Sequence, residues 1–68
     1  MAAIVYRYEL RRGEEVIATG HVTREVALEV GERITLNGQP AMVRSIEPIM
    51  RERELHLVAQ LLPEGTHT

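Results

Sequence analysis

Polar and apolar residues alternate from the first residues onward. Ile4, Tyr6, Tyr8 and Leu10 fall on one face, and Val5, Arg7 and Glu9 on the other. A period of two belongs to a half-buried strand, here over about 2–10. Arg11-Arg12-Gly13 interrupts it, and a three-residue loop ending in glycine predicts a hairpin closed by a left-handed residue. In that register Leu10 faces Glu14, Tyr8 faces Val16, Tyr6 faces Ala18 and Ile4 faces Gly20, so the two apolar faces coincide. The second strand, about 14–23, carries Val16, Ala18, Gly20 and Val22 inward. Glycine weakens a strand interior, so Gly20 is expected to mark a bend or bulge.

The pattern is less regular over 24–31, REVALEVG. Eight uncapped residues make a poor helix, which predicts an extended connector with Leu28 and Val30 tucked into the core. A short strand over 32–36 places Ile34 and Leu36 on one face. Asn37-Gly38 follows, the pair that a type I′ turn favours because both positions need positive φ. That turn pairs Leu36 with Gln39, Thr35 with Pro40, and Ile34 with Ala41. Pro40 has no N–H to donate, so its far side is expected to be unpaired and the tip to project.

The fourth strand, about 39–47, carries Ala41 and Val43 inward, but Ile46 is out of phase with them. A bulge near Arg44-Ser45 restores it. A last strand, about 54–62, has Leu55, Leu57, Ala59 and Leu61 on one face and His56, Val58 and Gln60 on the other. Five strands joined by tight turns leave edges that closure hides, which predicts an all-β, five-stranded antiparallel small barrel over 1–62, followed by a frayed tail over 63–68.

The run Leu28-Glu29-Val30-Gly31-Glu32-Arg33-Ile34-Thr35-Leu36-Asn37-Gly38, with Ala41, Val43 and Ile46, resembles the pattern of SH3-like small barrels. There a turn glycine and an acidic residue open a strand, a hairpin glycine follows, and Val and Ile occupy the return strand. The resemblance covers residues 28–62. It implies the barrel fold and little about function, because many unrelated functions share it. The chain has no Trp, whereas peptide-binding SH3 domains line their groove with aromatics that include one. Nor is it basic and Lys-rich, as the ribosomal and RNA-binding barrels usually are.

Composition narrows the chemistry. The 68 residues contain no Cys, Trp or Phe, and Tyr6 and Tyr8 are the only aromatics, so the core is expected to be aliphatic with no disulfide or thiolate metal site to reinforce it. A net charge of −2 argues against a polyanion-binding surface. All 8 basic residues are arginine. No apolar run approaches the about 20 residues of a membrane span, and no signal peptide is visible, so a cytoplasmic protein without membrane contact is expected.

His21 and His56 lie on polar faces with no activating constellation, and His67 is in the tail. Glu14-Glu15 reads as a solvated pair at a hairpin tip, and Arg51-Glu52-Arg53-Glu54 as a self-compensating surface. No phosphate loop, HExxH or Cys/His cluster occurs. The chain is therefore expected to be no enzyme, to need no cofactor and to hold no metal. The leading expectation is a binding or assembly module acting through protein–protein contacts, with itself or another protein, on a surface of Val5, Ile17, Val58, Ile49 and Met50. One alternative is a nucleic-acid-binding barrel using Arg7, Arg11, Arg12, Arg24 and Arg44. Another is a small-ligand or peptide binder with loop 24–31 as a lid.

Overall fold

The computed structural model describes residues 3–63. The expected strand start at Ala2 and the tail beyond Pro63, with His67, lie outside them. Five strands follow one another: β1 (Ile4–Arg12), β2 (Glu15–Arg24), β3 (Arg33–Leu36), β4 (Gln39–Pro48) and β5 (Leu55–Leu61). They form one curled sheet in the order β2-β1-β5-β4-β3, a half-barrel.

The sheet is mixed, which corrects the expectation of a purely antiparallel barrel. β1 and β5 run parallel, with Tyr6 opposite Leu55 and Leu10 opposite Ala59. The other three pairings are antiparallel. Strand direction across such a long connection leaves no local mark in the chain. The margins β2 and β3 are not paired with each other, so the sheet curls without closing. Closure would have hidden both edges; here β2 keeps one side of its ladder free.

The first hairpin keeps the expected face but reaches it by another route. Its turn is Gly13-Glu14, with Arg12 opposite Glu15. Gly13 has φ 62, and Glu14 does not share a positive φ, which fits a type II′ turn with glycine first. A two-residue loop alone would mix the faces. The register step between Leu10 and Arg11 prevents this: Leu10 faces Ala18, Arg11 faces Val16, and Ile17 is the extra residue. Beyond that bulge Tyr8 lies opposite Gly20 and Tyr6 opposite Val22, not opposite Val16 and Ala18 as the three-residue loop implied. Ile17 is thereby turned onto the core and Val16 is left 43% exposed.

Gly20 is no corner, since the ladder passes it without a register step. It is small for a different reason. A Cβ there would stand 2.9 Å from the Tyr8 Oη, so the ring lies across the glycine. This is the aromatic cover that strand glycines commonly receive.

The second hairpin has the expected register at every pair, Leu36–Gln39, Thr35–Pro40 and Ile34–Ala41. Asn37 at φ 53 and Gly38 at φ 76 supply the two left-handed positions of a type I′ turn. Pro40 is less isolated than expected, because its carbonyl accepts the Leu62 N–H at 3.0 Å. The β4–β5 ladder thus reaches Pro40, and Gln39 is paired only with Leu36 across the turn. The bulge of β4 falls at Arg44, between Val43 opposite Ala59 and Ser45 opposite Val58. It returns Ile46 to the inner face, opposite Leu57.

The core is Tyr6, Leu10, Leu28, Ile34, Leu36, Ala41, Val43, Leu57 and Ala59. Each large aliphatic chain buried there contributes about 1.5–3 kcal/mol. The connection over 25–32 is neither helix nor strand: it bends at Glu25-Val26, turns at Val30-Gly31 where the Glu32 N–H donates to the Glu29 carbonyl at 3.0 Å, and between them delivers Leu28 into this cluster. Val30 does not follow it and remains 66% exposed, as Val26 does at 79%. Leu28 N–H donates to Tyr6 Oη at 2.9 Å, so the one aromatic in the core carries its hydroxyl to a backbone partner.

Candidate protein interface

Three surfaces present side chains or backbone to a partner: the polar outer face of the sheet, a groove at one end of it, and the free edge of β2.

On the outer face, arginines engage acids of their own strand and of the turn before β5. Arg7 on β1 reaches Glu52 at 2.7 Å and Glu54 at 3.1 Å. His21 on β2 approaches Glu54 at 3.5 Å. Glu9 holds both Arg11, at 3.1 Å, and His56, at 3.3 Å. Arg44 Nη1 donates to Gln60 Oε1 at 3.2 Å. These are exposed or half-exposed pairs, each worth less than about 1 kcal/mol. Together they make a face of nearly balanced charge. Arg11, Arg44, Ser45, Glu47 and His56 surround a shallow cleft of about 330 Å³ floored by Val58. Among the described residues Ser45 makes no side-chain hydrogen bond to His56, and no group of three or more His, Asp or Glu side chains is placed to hold a metal ion. No helix among them is long and apolar enough to cross a membrane.

The end groove, about 450 Å³, is lined by Arg12, Gln39, Pro40, Leu61, Leu62 and Pro63.

The five apolar residues nominated for a contact surface are dispersed. Val5 is half-buried on the outer face of β1, opposite Thr23. Ile17 packs against the core through its bulge. Val58 is only 8% exposed, because β5 lies in the middle of the sheet with Glu9 on one side and Ser45 on the other. Ile49 is half-buried and Met50 is 83% exposed in the turn before β5. The five nominated arginines are likewise divided. Arg7, Arg11 and Arg44 are on the outer face, Arg12 is at the end groove, and Arg24 closes the far end of β2 opposite Ile4.

The feature that sequence reasoning missed is the β2 edge. It is ten residues long, and no backbone group outside its own hairpin is bonded to it among the described residues. Ala18 and Val22 are half-buried along its inner side, Val16 is exposed at one end, and Val26 is exposed just past the other. The expectation of a closed barrel concealed it, since closure removes edges. Glu15 at one end makes no ion pair among the described residues, and at the other end Arg24 Nε is buried without a hydrogen-bond partner there. Comparison of the chain with protein-family models, with curated proteins and with solved structures finds no match.

Proposed function

We propose that the chain is a non-enzymatic binding or assembly module that takes a protein partner along the edge of β2. The observation that carries this reading is the ten-residue edge strand with its ladder open on one side. An exposed row of unpaired N–H and C=O groups is a template for another strand, and natural edges of this length are usually shortened, charged or covered. Between Glu15 and Arg24 this edge carries no charged residue other than the titratable His21. An added strand gains main-chain hydrogen bonds and covers the half-buried Ala18 and Val22. The Asn37-Gly38 hairpin and the bulge at Arg44 favour retaining the SH3-like reading of residues 28–62 within this proposal, while the parallel β1–β5 pairing weighs against it.

The arginines offer a nucleic acid less. Arg7 and Arg11 are engaged by Glu52, Glu54 and Glu9, so a phosphate would compete with carboxylates already in place. The connection over 25–32 makes a poor lid, since Leu28 is anchored to Tyr6.

The test is site-specific photo-crosslinking in the native host. A benzophenone side chain at Thr19, exposed on β2, is expected to give protein adducts, and one at Glu47, exposed on the inner strand β4, is expected to give few. Equal labelling at both positions, or none at Thr19, overturns the edge as the binding surface.

A further inference from the structure

We infer that the partner of the β2 edge is a second copy of the chain, its β2 running antiparallel to the first about a twofold axis at Gly20. This rests on the edge-binding reading and adds the identity of the partner. The register comes from the strand itself. The bulge at Ile17 adds one residue to β2 relative to β1, and it adds the same residue relative to any strand on the other side. With Gly20 facing Gly20, Thr19 then lies opposite His21 of the second copy, and Ala18 opposite Val22. Past the bulge, Val16 lies opposite Thr23 and Glu15 opposite Arg24.

Every pair in this register joins like faces. Ala18 and Val22 both point to the inner side, with Leu10 and Tyr6 as their β1 neighbours. Glu15 shares that side, because it lies opposite Arg12, two residues from Leu10 on β1, and Arg24 shares it through Ile4. A strand without the bulge would set Glu15 against Glu25 and leave the ends repelling. With it, the carboxylate that has no ion pair in the monomer meets the guanidinium whose Nε has no partner, at both ends of the interface. Twofold symmetry makes this match self-complementary.

The centre is suited to close approach. Gly20 presents no side chain, and the Tyr8 ring laid across it brings its hydroxyl over β2. Two such rings would flank the axis on the inner side and continue the apolar surface from one sheet into the next. The product is a single ten-stranded sheet in which neither β2 remains an edge.

Sedimentation equilibrium on the whole chain tests the proposal, with far-UV circular dichroism to confirm that each variant is folded. The native chain is expected to dimerise with rising concentration. Glu15→Arg and Arg24→Glu each replace two attractions by two repulsions, so each is expected to weaken dimerisation by about tenfold or more. The double variant, with both charges exchanged, is expected to return to within about threefold of the native chain. A dimer indifferent to the single reversals, or a double variant no better than the singles, overturns the register. A chain that stays monomeric while Thr19 still cross-links to other proteins overturns self-pairing and leaves the edge reading standing. A monomer without Thr19 adducts overturns both.

Discussion

The Leu28 N–H donates to the Tyr6 Oη at 2.9 Å, joining residues 22 apart in the chain inside the core. Tyr6 is 1% exposed and Leu28 7%. The bond fastens the only long irregular connection among the described residues to the inner face of β1.

Replacing Tyr6 by Phe keeps the ring and removes the acceptor. A buried N–H without a partner costs about 1–3 kcal/mol, so Tyr6→Phe is expected to lower the free energy of unfolding by that amount, read as a lower urea midpoint with an unchanged slope. Amide exchange at Leu28 should accelerate by more than exchange in β5. A variant as stable as the native chain would show that the connection is held by the Leu28 side chain alone.

Gly20 and Tyr8 are expected to be energetically coupled. Gly20→Ala places a methyl 2.9 Å from the Tyr8 Oη, so the ring must swing off the strand. In a double-mutant cycle the alanine should destabilise the native background by about 1 kcal/mol or more and cost clearly less when Tyr8 is Leu. Additive effects would mean that the ring does not depend on the missing side chain.

The turn at Asn37-Gly38 depends on backbone conformation. Gly38 has φ 76, which a β-carbon tolerates poorly, so Gly38→Ala is expected to cost about 1–2 kcal/mol, or roughly 4–16 °C in Tm for a domain of this size. Asn37→Gly, at φ 53, should be close to neutral. Calorimetry of the two variants checks both.

Arg7 makes the shortest ion pair of the outer face, and it is expected to matter little. Its side chain is 46% exposed and that of Glu52 43%. Arg7→Met should change stability by less than about 1 kcal/mol, and the difference should shrink further at high salt.

The hairpin at Asn37-Gly38 and the bulge at Arg44 were legible because each is written in two or three adjacent residues: a pair suited to positive φ, and a slip in phase between Val43 and Ile46. Leu28 was legible as a core residue by its alternation with Val26, but Val30 carried the same signal and stayed in solvent. Period alone cannot say how far a connector follows the sheet before it leaves. Val58 was misplaced for a related reason. Its polar neighbours His56 and Gln60 suggested a wetted face, whereas the central position of β5 buries it. The pairing of β1 with β5 had no local signal at all. The open edge of β2, on which the candidate interface depends, is a property of what the fold leaves unpaired, and an alternating strand reads the same whether one or both of its sides are bonded.

The place of β5 also orders the assembly of the molecule. β1–β2 and β3–β4 are hairpins that can zip from their own turns, yet they do not touch through any ladder except the one β5 provides between β1 and β4. Each hairpin taken alone leaves the apolar side that faces the core uncovered. Residues 55–61 supply the ladder that joins the two hairpins, so a single continuous sheet requires the strand that comes last among the five.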